Sequence, residues 1–229
     1  MVIITGASSG IGMAIAEFYL AKGEQVIGIS RSQKIKHSNF RFVSCDLSDY
    51  DALEKFELTD YLNEDEKFLL INNAGIIGTI NRAHKVGLKD YYNVAVLNIV
   101  AIQHLCSQFL RCNQPNKTIV NISSGAAQRP ISSWAAYCAS KAAVDMFSVT
   151  LQAEIDELKG STKVFSLAPG VVDTNMQVAI RNSNKNDFSA YQKFVDLKES
   201  NELRSPKEVA ELLYKWLNDS ESKDVVGRL

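Results

Sequence analysis

The sequence predicts an α/β fold, a single doubly wound parallel sheet of about seven strands with helices on both faces. Three observations point to it. Short apolar, β-branched runs alternate with longer stretches of helical periodicity along the chain, the pattern of successive β-α-β units in one parallel sheet. The first such run, Val2 to Thr5, passes directly into a glycine-rich turn, Gly6-Ala-Ser-Ser-Gly10-Ile-Gly12, and then into a helix to about Lys22. Nothing divides the 229 residues: no linker, internal repeat or low-complexity run breaks them, so one domain over 1–229 is expected.

Each element has its own signal. Glycines at a strand-to-helix turn let the backbone approach a pyrophosphate, which the helix N-terminus attracts. The spacing here is GxxxGxG rather than the general GxGxxG. Gln25 to Ser30 reads as the second strand, with Ser30-Arg31 at its end. An acidic residue there would bind ribose hydroxyls and repel a 2′-phosphate. A guanidinium in its place favours the phosphorylated nucleotide. Arg41 to Ser44 forms the third strand and ends in Cys45-Asp46-Leu47; Ser48 and Asp51 can cap a helix running to about Asn63. Phe68 to Ile71 is the fourth strand and enters Asn72-Asn73-Ala74-Gly75.

A loop, Ile76 to Lys85, precedes one long helix from Leu88 to Leu110, whose apolar stretch contains Asn98, a residue that needs partners if buried. Thr118 to Ile122 is the fifth strand, ending at the hydroxyls of Ser123 and Ser124. From Ser133 onward Ala136, Ala139, Ala143, Phe147, Leu151 and Ile155 fall at helical spacing. Lys163 to Leu167 is the sixth strand and leads into Ala168-Pro169-Gly170-Val171-Val172-Asp173-Thr174. The next stretch, Gln177 to about Asn201, is polar and only loosely periodic, which suggests an irregular lid within 173–201. Ser205-Pro206-Lys207-Glu208 is a capping box with proline at the first helical position, opening a helix to Leu217. A short seventh strand is expected around Val225 and Val226.

Composition narrows the function. The chain is 46% hydrophobic and 22% charged, with a net charge of −1, so neither nucleic acid nor an anionic membrane is an expected partner. Val94 to Leu105 is broken by Asn98, Gln103 and His104, so no membrane-spanning run is expected, and the start carries no basic leader. Cys45, Cys106, Cys112 and Cys138 lack metal-binding or CxxC spacing, and His37, His84 and His104 are scattered. The expectation is free thiols in the cytoplasm and no metal site.

Tyr137 and Lys141 carry the chemical signal. Four residues apart on a helix, they stack on one face about 6 Å apart. An ammonium beside a phenol favours the phenolate and would lower the tyrosine pKa from about 10. A tyrosine tuned in this way can exchange a proton near neutral pH, and a strand end carrying the hydroxyls of Ser123 and Ser124 lies upstream.

Taken together, TGxxxGxG, Asn72-Asn73-Ala74-Gly75, Ser124, Tyr137-x-x-x-Lys141 and Pro169-Gly170 resemble the short-chain dehydrogenase/reductase family, over residues 1 to about 180. The resemblance implies a Rossmann-type fold and a catalytic tetrad of Asn98, Ser124, Tyr137 and Lys141, with Asn98 ordering a water that links the lysine to solvent. It implies that Gly6, Ser8, Ser9, Gly10, Ile11, Gly12, Ser30, Arg31, Asp46, Leu47, Asn73, Ala74, Gly75, Tyr137, Lys141, Pro169, Gly170, Val172 and Thr174 bind the cofactor, here NADPH.

The context Trp134-Ala-Ala-Tyr137-Cys and the run Pro169 to Arg181 are similar to bacterial benzil reductases, relatives of sepiapterin reductase. The expected activity is NADPH-dependent reduction of an aromatic or α-dicarbonyl ketone, in a homodimer or homotetramer. A pterin substrate is the alternative, although Gly227-Arg228-Leu229 stands where sepiapterin reductases carry a carboxylate. A nucleotide sensor on the same fold would tend to lack Tyr137 or Lys141. Trp134 is either an aromatic wall of the site or a core residue, and Arg181 is the lid's one expected anchor for a charged substrate.

Overall fold

The computed structural model describes residues 1–62, 67–112, 116–219 and 223–229. Seven strands form one parallel sheet: β1 (Val2–Thr5), β2 (Val26–Ser30), β3 (Phe40–Ser44), β4 (Phe68–Asn72), β5 (Lys117–Ile122), β6 (Lys163–Ala168) and β7 (Val226–Arg228), in the order β3-β2-β1-β4-β5-β6-β7. The order reverses between β1 and β4, and such a switch point opens a crevice at the carboxyl ends of the strands. Because strand side chains alternate, neighbouring residues of β1 feed opposite layers. Ile3 packs with Ile29, Leu70, Ile119 and Val164 on one face, while Val2 and Ile4 pack with Ile71, Val120 and Leu167 on the other.

Helix α1 (Gly10–Ala21) covers the second face together with α8 (Pro206–Asn218), through Ile15, Ala16, Tyr19, Leu20, Ala210 and Leu213. The expected capping box is present: Ser205 Oγ accepts from Glu208 N, and Glu208 Oε2 accepts from Ser205 N. The first face is covered by the helical run 88–111 and by α5 (Ala135–Glu157).

Several local expectations are corrected. Helix α2 is only Tyr50–Glu54 and is capped by Asp49, whose carboxylate accepts from Ala52 N at 2.9 Å, rather than by Ser48 or Asp51. Ser48 instead bonds the Asp46 carboxylate, and a 3-10 turn at Leu58–Tyr61 follows. The helix end expected at Asn63 lies outside the described residues. The run 88–111 is not one regular helix: α3 (Leu88–Ala95) and α4 (Ala101–Arg111) are joined by a π turn, Val96–Val100, which contains Asn98. This run is long and apolar enough to cross a membrane, contrary to the sequence reading, although half of its apolar window is buried within the protein.

The buried side of α5 also differs from the alanine stripe. It carries Tyr137, Ser140, Lys141, Val144, Ser148, Leu151, Gln152 and Ile155, while Ala139 is exposed. Partners make this polar burial tolerable. Ser148 accepts from Asn121 Nδ2 and donates to Val144 O; Gln152 Oε1 accepts from Val164 N at 2.7 Å.

The lid is not irregular. It folds as α6 (Asn175–Arg181) and α7 (Tyr191–Glu199). The polar composition masks a few apolar anchors: Ile180, Phe188 and Phe194 bury against Trp134, Ile77 and Tyr137. This packing, rather than local propensity, holds two short helices in place.

Candidate active site

The nucleotide end is shaped by backbone. Gly6 and Gly10 have φ of 70° and 54°, a left-handed conformation that glycine adopts without penalty. Gly12 is needed for space: a Cβ there would lie 2.4 Å from Gly6 O. The turn is tied across the switch point to the Asn-Asn-Ala-Gly segment. Thr5 Oγ1 accepts from Asn73 N at 2.9 Å and from Ala74 N at 3.0 Å, while Asn73 Nδ2 donates to Thr5 O at 3.0 Å. Asn72 points the other way, donating to Asn121 Oδ1 and so joining β4 to β5 in the core.

A cavity of about 1210 Å³ runs along these strand ends from Arg31, Asp46 and Leu47 to Ser124, Tyr137 and Lys141. It exceeds the several hundred Å³ typical of one small ligand. Every sequence-predicted site residue except Gly12 and Asn98 lines it. Those two lie just behind the wall, Gly12 under the turn and Asn98 fully buried. Arg31 is largely exposed, 4.0 Å from the Asp46 carboxylate, whose pKa is held down chiefly by its bond from the Ser48 hydroxyl. The guanidinium is therefore held only by a weak surface pair and can turn to a ligand.

Tyr137 and Lys141 are both buried, and the lysine Nζ sits 5.8 Å from the tyrosine ring centroid, as the helical spacing requires. Nζ donates to Ile122 O at 2.8 Å, at the end of β5. The electrostatics differ from the sequence reading. Burial raises the Tyr137 pKa, with the neighbouring Ser124 hydroxyl pulling the other way; burial also pushes Lys141 down to about 8, with Asp145 opposing. Desolvation disfavours both charged forms and outweighs the opposing effects of Ser124 and Asp145. The phenol is therefore protonated at neutral pH and suited to give a proton.

Ser124 Oγ accepts from Ala126 N at 3.2 Å, and its hydroxyl lies beside Tyr137, whose pKa it pulls down by hydrogen bonding. Asn98 clamps the loop after β4: its Oδ1 accepts from Ile76 N at 2.9 Å, and its Nδ2 donates to Ile76 O at 2.8 Å and to Ser140 Oγ at 3.0 Å. A Cβ on Gly75 would lie 3.2 Å from Asn98 Oδ1 and 3.7 Å from Lys141 Nζ, so glycine leaves the gap between them open. The Asn98 side chain thus ties the loop at Ile76 to Ser140 of α5.

Past Tyr137 the wall is aromatic. Trp134 meets Tyr137 edge-on at 5.8 Å and packs on Phe188 at 5.5 Å and on Phe194 at 5.1 Å. Trp134 is both core and wall: it is buried, yet it lines the cavity beside Phe194. Arg181 does not line the cavity; it lies 3.8 Å from Asp173, which also accepts from Lys198 Nζ at 2.7 Å. Sequence reading missed Arg129 and named Arg228 only as part of the tail that lacks a carboxylate; both line the cavity at the Ser124–Gly125 turn. It also missed Arg204, whose Nη1 donates to Pro169 O and Leu229 O, bracing the Pro169-Gly170 turn against β7. No spacing rule flags these arginines; only the sheet brings them to the site. Among the described residues no group of three His, Cys, Asp or Glu side chains could hold a metal ion.

The pattern described as short chain dehydrogenase matches residues 1–185. The chain belongs to the short-chain dehydrogenase/reductase family. It is 37% identical over 235 residues to a benzil reductase ((S)-benzoin forming) of Bacillus cereus, covering 96% of this chain and 94% of that one. With a benzil reductase of Bacillus subtilis the identity is 38%, over 94% and 92%. An NADPH-dependent pterin aldehyde reductase of Arabidopsis thaliana is more distant, 30% identical over 76% of each chain. Among solved structures, the KRED1-Pglu enzyme superposes with a TM-score of 0.85 at 24% identity, covering 100% of this chain and 99% of that one. A short-chain dehydrogenase/reductase from Saccharomyces cerevisiae gives 0.83 at 27% identity, over 99% and 94%.

The family's enzymes are oxidoreductases that bind NAD(P)(H) and small carbonyl or alcohol substrates. The residues here fit such a nucleotide: Gly6 and Gly10, at positive φ, line the cavity, and Gly12 leaves room for the turn behind them.

Proposed function

We propose that the protein reduces one carbonyl of an aromatic α-dicarbonyl ketone to a hydroxyl, using NADPH. The observation that carries this reading is a buried Tyr137 facing an aromatic wall in the same cavity as the glycine turn. The benzil reductase relatives support the substrate class, and Arg31 after β2, with no carboxylate at Ser30, supports the 2′-phosphate.

NADPH supplies the hydride. Ser124, beside Tyr137, donates its O–H to the carbonyl oxygen as negative charge grows there. Tyr137 delivers the proton to that oxygen. Lys141, charged below about pH 8, stabilises the phenolate left behind. Asn98 positions rather than reacts, holding the loop at Ile76 against Ser140 of α5. Trp134 and Phe194 exclude water and stack on an aromatic ring.

The test is kcat/KM for benzil, acetophenone and sepiapterin, with NADPH and with NADH. Benzil is expected to exceed acetophenone, and NADPH to exceed NADH, each by about tenfold or more, the effect of about 1.4 kcal/mol. A tenfold lead for sepiapterin would replace this reading with the pterin one. If all three are inert, only the family assignment stands.

A further inference from the structure

Two guanidinium groups meet at Gly125, the residue after the Ser124 hydroxyl. A Cβ built on Gly125 would lie 3.6 Å from Arg129 Nη2 and 4.0 Å from Arg228 Nη2. Both nitrogens thus face one point beside Gly125, where a single carboxylate could accept from each. The two arginines come from distant parts of the chain, one from the loop before α5 and the other from β7, so local sequence does not pair them.

Neither guanidinium has a hydrogen bond or ion pair to a described residue. Both side chains are exposed, so water screens their repulsion, and an anion between them would gain two charge-assisted hydrogen bonds. A second observation marks the same place. Ser123 Oγ is buried, has no hydrogen-bond partner, and lines both the main cavity and a side cavity of about 200 Å³ that the two arginines also border. A buried hydroxyl without a partner is costly unless a ligand or water completes it.

The surroundings favour a negative ligand. The main cavity is lined by the cations Arg31, Arg129, Lys141, Lys193 and Arg228, and by one carboxylate, Asp46, at the far nucleotide end. Asp145 borders the side cavity, but it accepts from Ser166 Oγ at 2.7 Å and pairs with neither arginine. We infer that Arg129 and Arg228 form an anion subsite for the substrate, and that the enzyme selects carbonyl compounds bearing a carboxylate near the reacting carbon, such as aromatic 2-oxo acids. This rests on the reading of the cavity as a carbonyl-reducing site and narrows its substrate class: the second carbonyl of the α-dicarbonyl belongs to an acid.

The experiment compares benzoylformate with its methyl ester, which has the same ring and ketone without the charge. Dissociation constants are measured by calorimetry on the complex with NADP⁺, for the wild type and for the double variant Arg129→Gln/Arg228→Gln. The wild type is expected to bind the acid at least tenfold tighter than the ester, and the double variant to bring that ratio to about one. A wild-type ratio near one overturns the proposal, and this measurement stands even if the double variant does not fold. A ratio that survives in the double variant also overturns it, as does an equal loss of NADPH affinity, which would place the arginines on the cofactor.

Turnover separates the two readings. Tight, arginine-dependent binding of the acid without reduction of acid, ester or benzil keeps the subsite and removes the carbonyl-reductase function. Reduction of benzil and ester with no preference for binding the acid does the reverse.

Discussion

The two halves of the cavity are made of different material. Toward the nucleotide the wall is backbone: glycines at positive φ, a turn locked by Thr5 and Asn73, and strand ends in register. Toward the substrate the wall is side chain: Trp134 just before α5, Phe194 from α7, and Arg129 and Arg228 from a loop and a strand far apart in sequence. A backbone cradle suits the one ligand that every member of the family must hold, whereas a side-chain wall can be changed residue by residue without touching the sheet. Tyr137 stands at the seam, within reach of both.

The largest effect is expected at that seam. Tyr137→Phe removes the proton donor and leaves the ring, so kcat should fall by about 10²–10⁴-fold, the usual contribution of a positioned acid. NADPH affinity should stay within about twofold. A variant that keeps a tenth of wild-type kcat would remove Tyr137 from the acid role.

Gly12→Ala probes the backbone half. Its Cβ would meet Gly6 O at 2.4 Å, and the backbone must shift to admit it. Overpacking of this kind costs about 1–3 kcal/mol. If the shift displaces the nucleotide turn, the NADPH Kd should rise by about ten- to a hundredfold. Titration of NADPH fluorescence measures this, and an unchanged Kd would show that the cradle tolerates the displacement.

Phe188→Ala probes the other half. Phe188 is fully buried beneath Trp134 and does not itself line the cavity. Removing it should cost about 3–5 kcal/mol of packing, loosen the lid and raise the KM for benzil about tenfold. NADPH affinity should change less than twofold. An equal loss of both affinities would contradict the division into halves.

The smallest effect is the pH profile. Because burial pushes Lys141 down to about 8, its positive charge is present below that pH and lost above it. Reductive kcat/KM should therefore fall severalfold between pH 7 and about 9, following a single deprotonation. The linked stability runs the other way. From about 8 up to the ordinary lysine value of 10.5 the unfolded chain keeps a proton that folded Lys141 has released, so the fold gains stability as pH rises. Lys141→Met should abolish that gain in thermal melts, and a gain that persists in the variant would assign it to another group.

The sequence by itself determined the sheet, the nucleotide turn and the positions of Ser124, Tyr137 and Lys141. Each depends on local rules: β-branched runs make strands, glycines permit a left-handed turn, and residues four apart share a helix face. The capping box of α8 was legible for the same reason, since all of its bonds lie within four residues.

Tertiary structure decided the rest. The π turn at Asn98, the folding of the polar lid into α6 and α7 around Phe188, and the polar buried side of α5 all depend on partners distant in sequence. So do the two pKa shifts at the centre of the site. Local spacing showed that an ammonium lies near a phenol and predicted a lowered tyrosine pKa. Enclosure by the sheet, helices and lid removes water from both groups, and that desolvation, which no spacing of residues encodes, reverses the sign for Tyr137.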